Sequence, residues 1–219
     1  MKNKLILALP LAGIALVLAS CGDKTTSETT TTESNNNTIV YSNETYYASP
    51  NGVASANGTK GSPVDIRTGF NKLKAGDTLI LLDGTYNLPE RILIDRTQNG
   101  ASGHMITVKA DDNANVTLDF SQRIIAGTSR GVQINADYWH LYGFDVKGAG
   151  DNGVYIAGSY NIVENCSFHE NQDTGLQIGR ASSDLTNIKD WPHNNLIKNC
   201  TSYNNYDYQS YGENADGFA

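Results

Sequence analysis

Three glycines, Gly131, Gly153 and Gly175, stand 22 residues apart, and each opens the same short phrase: Gly-Val-Gln-Ile, Gly-Val-Tyr-Ile and Gly-Leu-Gln-Ile. A fixed period in the low twenties is too short for a helix pair and suits one coil of a β-solenoid. A second segment keeps the same beat. Leu141-Tyr-Gly-Phe-Asp-Val146 returns 22 residues later as Val163-Glu-Asn-Cys-Ser-Phe168, and 34 further on as Ile197-Lys-Asn-Cys-Thr-Ser202. Alternate residues of such strands point inward, and Asn and Gly tolerate left-handed corners between them. The expected fold is all-β: a right-handed parallel β-helix of about 22-residue coils, with Asn165 over Asn199 and Asn171 over Asn205 at its corners.

The ends of the 219-residue chain do not belong to that stack. Lys2 and Lys4 precede an uncharged run from Leu5 to Leu18, followed by Ala19-Ser20-Cys21. A basic start, a short apolar run and small residues make a secretory signal rather than a membrane span. The cysteine after them matches a bacterial lipoprotein signal, so residues 1–20 are expected to be removed and Cys21 lipidated, anchoring the exported protein to the cell envelope or surface. Residues 21–45 are rich in Thr, Ser and Asn and cannot build a core, so they read as a tether. Residues 46–219 are then one domain. Loss of Lys2 and Lys4 takes the formal charge from −7 to −9. An acidic protein is a poor partner for nucleic acid, and an anionic ligand would need a bridging cation. A monomer is expected.

Cys166 and Cys200 fall in one repeat column with Phe144, which reads as an inward stack of small apolar side chains; a disulfide between the coils stays open. His104, His140, His169 and His193 fall in different columns and read as surface or turn residues. From Asp65 to Lys74, Ile66, Phe70 and Leu73 recur with helical spacing and Gly76 follows, predicting a short helix that covers the open end of the stack. Asp77 and Asp83 read as turn residues beside the strands that come next.

The rhythm breaks once. Gly175 to Gly217 is 42 residues, and the extra length falls in two places: 12 residues between Ile178 and Ile197, and eight between Asn205 and Gly217. The first insertion carries Asp190-Trp-Pro-His193, the second Tyr206, Tyr208 and Tyr211, and both flank the glycine-led strand. Extra loops on one face of a repeat protein commonly build its binding site, and aromatic walls suit sugar rings. In the column before each glycine stand Arg130, Asn152, Thr174 and Asp216, of which only the last is an acid. A lone Asp beside Gly is a turn residue as readily as a cation ligand, because a hard cation gathers several oxygens.

The phrase Glu213-Asn-Ala-Asp-Gly-Phe-Ala219, after the Asn-Cys-Thr-Ser-Tyr-Asn-Asn strand, resembles the family 9 polysaccharide lyases, the β-helical pectate lyases. The opening from Tyr47 to Tyr86, with Ser-Pro-Asn-Gly, Gly-Asp-Thr and Asp-Gly-Thr-Tyr, resembles β-helix enzymes acting on polysaccharides. The resemblance implies Ca2+ as cofactor, Asp216 as one of several calcium ligands, and polygalacturonate or a related acidic polysaccharide as substrate. It also implies β-elimination: calcium neutralises the uronate, and a base removes the C5 proton. The remaining ligands and the lysine base belong to coils beyond Ala219 in that family. No catalytic residue is therefore assigned, and the 219-residue chain is expected to be an inactive amino-terminal portion. Two alternatives remain: a non-catalytic surface β-helix that binds polysaccharide, and a β-helix lyase or hydrolase for another uronic polymer.

Overall fold

The structure, a computed structural model, describes residues 41–219. The signal, Cys21 and residues 21–40 of the tether lie outside the described residues.

The strands stack into three parallel sheets. The first contains β1 (Thr45–Ala48), β2 (Thr78–Leu81), β5 (Ile106–Ala110), β8 (Trp139–Tyr142), β11 (Ile162–Glu164) and β14 (Leu196–Lys198), in that order. The second contains β4 (Ile92–Ile94), β7 (Val132–Ile134), β10 (Val154–Ile156) and β13 (Leu176–Ile178). The third contains β3 (Gly84–Asn87), β6 (Val116–Asp119), β9 (Asp145–Lys147), β12 (Ser167–His169) and β15 (Thr201–Tyr203). Every strand pairs with its counterpart one coil away, and Val132, Val154 and Leu176 stand in register. This is a parallel β-helix, as the repeat requires. Inward residues such as Ile134, Leu141, Val163 and Phe168 form one continuous buried core. At the last described coil, Phe218 bridges to Leu176 and packs edge-on against Phe168 at 6.2 Å.

The glycine clock has a steric origin. A Cβ on Gly131 would lie 2.5 Å from the carbonyl oxygen of Gly153, one on Gly153 2.7 Å from that of Gly175, and one on Gly175 2.9 Å from that of Gly217. No real Cβ sits so close to an oxygen, so each coil demands glycine because the next coil's glycine carbonyl fills the space.

Corners are fixed by backbone conformation and by asparagine ladders. Gly143, Asn165 and Asn199 hold the same corner between the first and third sheets, with φ of 80°, 55° and 52°. Asn165 and Asn199 are thus stacked corner residues joined through the main chain, Asn165 N–H donating to the Lys198 carbonyl at 3.0 Å. The expected side-chain ladder forms at Asn171: its Oδ1 accepts from Ala149 N–H at 3.0 Å, and its own N–H donates to Asn205 Oδ1 at 3.1 Å. A second ladder, not foreseen, runs through Asn161 and Asn195. Asn161 Oδ1 accepts from Trp139 N–H at 2.8 Å, and Asn195 Oδ1 accepts from Asn161 N–H at 2.9 Å. Such ladders satisfy corner amides that strand pairing leaves over.

Helix α1 (Ile66–Lys72) is shorter than expected from the pattern over Asp65 to Lys74, because Asp65 is its N-cap, accepting from Thr68 N–H at 3.0 Å, and Leu73 ends it. It packs on β1 and β2, and Phe70 stacks on Trp139 at 6.0 Å. Asp77 is buried and accepts from the N–H groups of Glu44 and Lys74, both at 2.9 Å, and Asp83 accepts from Asn115 N–H at 2.8 Å, so both serve turns. Cys166 is buried under Phe144 and Cys200 is half-buried above it. Both are free thiols, and burial pushes the Cys166 thiol up to about 12.

Candidate functional site

The outer face of the second sheet is where the sequence irregularities converge. Its floor is the register column Leu93, Gln133, Tyr155 and Gln177, the middle residue of each strand. The segment 179–195, containing a 3-10 turn at Ile188–Asp190, leaves the exit end of β13, and the segment 204–216 returns to its entry end. The two insertions therefore wall opposite edges of one face.

Along the entry edge the aligned column is real. Gly131 N–H donates to the Asn152 carbonyl at 2.9 Å, Gly153 N–H to that of Thr174 at 3.1 Å, and Gly175 N–H to that of Asp216 at 3.0 Å. Thr174 Oγ1 donates to the Asn214 carbonyl at 3.0 Å, tying the returning loop to the column. The loop is further shaped by Asp207, which accepts from Gln209 N–H at 2.7 Å and from Ser210 Oγ at 2.5 Å; the Ser210 hydroxyl holds its carboxyl below the usual carboxylate range. This order presents Asp216 with an exposed side chain. Among the described residues no three His, Cys, Asp or Glu side chains converge on one point. One carboxylate of a cation that takes six to eight oxygens does not make a calcium site, so these residues alone do not fit the ion, and Asp216 offers a single ligand.

Beside the same column, on the coils that precede Asp216, lies a carboxylate pair. Asp151 is buried, with Asp173 one coil on, and burial together with Asp173 outweighs the neighbouring Arg130 to push Asp151 up to about 6. Asp151 Oδ2 lies 3.4 Å from Arg130 Nε, and neither atom makes an aligned hydrogen bond. Arg130 also lies over the ring of Tyr155, 3.4 Å from its centroid.

At the exit edge a polar cavity of about 300 Å³ is lined by Arg96, Asp137, Tyr160, Lys189, Trp191 and His193. Tyr138 and Tyr160, both at positive φ, stack in parallel at 4.8 Å, and His193 meets Tyr160 edge-on at 5.1 Å. Trp191 of the first insertion thus belongs to a formed pocket. The tyrosines of the second are more open: Tyr206 meets Tyr208 edge-on at 4.7 Å, while Tyr211 is 88% exposed. Sequence reasoning missed the cavity, Gln133, Tyr155 and the pair Asp151 and Asp173, although the pair's 22-residue offset was visible. His140 faces Glu164 at 3.5 Å on the first sheet, away from this face, and burial lowers its pKa.

The parallel β-helix fold is shared with solved structures, among them a "Rhamnogalacturonan lyase" that superposes with a TM-score of 0.55 at 20% identity, over 73% of this chain and 51% of that one. The chain belongs to the family described as Pel9A-like, right handed beta helix region, which matches residues 46–219. It is 40% identical over 173 residues to a "Pectate lyase L" of Paenibacillus polymyxa, covering 79% of this chain and 38% of that protein. It is 34% identical over 182 residues to a "Pectate lyase L" of Dickeya chrysanthemi, covering 79% of this chain and 40% of that one. The crystal structure of pectate lyase Pel9A superposes with a TM-score of 0.71 at 31% identity, over 80% of this chain and 43% of that one. The chain thus spans about two fifths of the length of these relatives.

Proposed function

We propose that this chain is the amino-terminal portion of a calcium-dependent pectate lyase that cleaves polygalacturonate by β-elimination. The observation that carries the reading is Asp216: it is held in strand register at the entry edge of a groove that two insertions wall, within a chain of this family. Calcium, when bound, would neutralise the uronate and polarise its carboxylate. The described residues supply one of its ligands and no base, so their part is to shape the groove floor and hold Asp216 in place. By the same reading residues 1–20 direct export, Cys21 carries lipid, residues 21–45 are a tether and residues 46–219 are the β-helix unit, acting as a monomer.

The test is the release of unsaturated uronides from polygalacturonate, with calcium or with a chelator. The 219-residue chain alone is expected to release none. Joined to the following coils of the Paenibacillus polymyxa relative, it is expected to give calcium-dependent product that Asp216→Asn abolishes. Product from the chain alone, or a fusion indifferent to Asp216→Asn, refutes the assignment. A second reading, non-catalytic polysaccharide binding, is favoured by the exposed Tyr208 and Tyr211 of one insertion and the Trp191 cavity of the other. It is the reading left if an active fusion cannot be made and the chain still binds the polymer.

A further inference from the structure

The chain carries a net charge of −7, yet its six arginines all lie along or beside the second sheet. Arg91 and Arg96 flank β4, Arg123 and Arg130 lie in the approach to β7, and Arg180 follows β13. Arg67 reaches across from α1 to donate to the carbonyls of Arg91, at 3.0 Å, and Glu90. Of the lysines, Lys109, Lys147 and Lys198 stand on strands of the other two sheets, while Lys189 lines the exit-edge cavity with Arg96.

Four of these arginines are held by the fold rather than splayed into solvent. Arg67 is pinned by the two carbonyls. Arg91 Nη1 donates to Gln133 Oε1 at 3.2 Å, and Gln133 is itself oriented by donating to Asn135 Oδ1 at 3.0 Å. Arg130 lies flat on Tyr155 beside Asp151. Arg123 is half-buried, with a buried Nε that has no partner, and burial followed by the charges of Arg91 and Arg67 lowers its pKa. Gathering like charges costs stability and is retained where an anion is to be bound. Guanidinium groups fixed with free N–H donors are suited to carboxylates, which they grip with two parallel bonds.

We infer that Arg67, Arg91, Arg123 and Arg130 form a calcium-independent shelf that binds the carboxylates of an acidic polysaccharide on the floor of the groove, remote from Asp216. Arg130 stands three strands from Asp216 in the aligned column, about 14 Å along the stack at the usual strand spacing. Arg91 is one strand further, since Ile92 pairs with Val132. A polymer lying along the coil axis would meet the shelf and Asp216 in turn. This rests on the proposed polysaccharide function but not on its calcium chemistry.

Affinity electrophoresis of the full chain through gels containing polygalacturonate and a chelator tests it. The chain is expected to be retarded, less so as salt rises, and not to be retarded by a neutral galactan. Arg91→Ala with Arg123→Ala should weaken the apparent affinity by about tenfold or more, as loss of charge-assisted bonds predicts. Lys198→Ala on the first sheet should leave it unchanged. Thermal melting shows whether the variants are folded, and Arg130→Lys, which keeps the charge but not the fork, should fall between. No retardation of the wild type, equal retardation of the folded double variant, or equal retardation in the neutral gel overturns the shelf. Asp216→Asn should leave retardation intact. If it removes retardation in chelator, the shelf is refuted, whereas failure of the calcium-dependent fusion assay would refute only the lyase reading.

Discussion

Replacing Gly153 by alanine puts the coil-stacking account at risk in one experiment. The new methyl would sit 2.7 Å from the Gly175 carbonyl oxygen and 2.6 Å from Asn171 Nδ2, and φ there is not in the left-handed region, so the cost is crowding alone. Gly153 is buried in the middle of the stack, where two coils cannot part without breaking strand pairs on either side. Overpacking of this kind costs about 1–3 kcal/mol. Displacing the Asn171 amide also strains its bonds to Ala149 and Asn205, each worth roughly 1 kcal/mol. A total of roughly 2–4 kcal/mol corresponds to a fall in Tm of about 5–15 °C for a domain of this size. Thermal unfolding followed by circular dichroism measures it, with Gly127→Ala as the control, because a Cβ at Gly127 meets nothing within 4 Å. If Gly153→Ala melts within a degree of Gly127→Ala, the glycine period does not arise from contact between coils.

Asn161→Ala strips a fully buried ladder residue and leaves Trp139 N–H and the Ala136 carbonyl without partners; a loss of about 2–4 kcal/mol in urea unfolding is expected. Asp151 has a folded pKa of about 6, above its unfolded value, so the native state binds the proton more tightly and stability falls as pH rises through that window. The roughly two-unit shift amounts to about 3 kcal/mol, and Asp151→Asn should flatten the stability profile between about pH 4 and 6 in denaturant titrations. Cys166, buried with its thiol pushed up to about 12, should resist alkylation at pH 8 until the protein unfolds, while half-buried Cys200 reacts first; peptide mapping by mass spectrometry distinguishes them.

How far the sequence reached depends on what kind of information each feature is. Gly131, Gly153 and Gly175 announced the stack because a residue that must be glycine is visible at any distance in the chain. The Asn171 and Asn205 ladder was equally visible, since both residues repeat in phase. The Asn161 and Asn195 ladder has the same 34-residue offset, but both residues stand just ahead of the Val163 and Ile197 segments by which the coils align. Tyr138 and Tyr160 at positive φ could not be foreseen, because bulky side chains avoid that region unless the surrounding structure holds them there. The arginine shelf was hidden by arithmetic: a total charge of −7 reports nothing about six cations placed along one sheet. Asp216 was placed correctly in its column by alignment, while its part in binding a cation still stands on family resemblance.

The asparagine pairs have a consequence for how this molecule changes over time. Asn195 closes the first insertion, its Oδ1 receiving Asn161 N–H and its Nδ2 donating to the Gly158 carbonyl at 2.9 Å, so the chain is re-seated on its rail before β14 begins. Asn205 does the same service just before the second insertion departs, accepting from Asn171 N–H. Between such clasps a segment can lengthen, shorten or be exchanged whole, while the strands on either side remain indexed. The groove is thus modular: its walls are interchangeable cassettes, and its floor is a ruler.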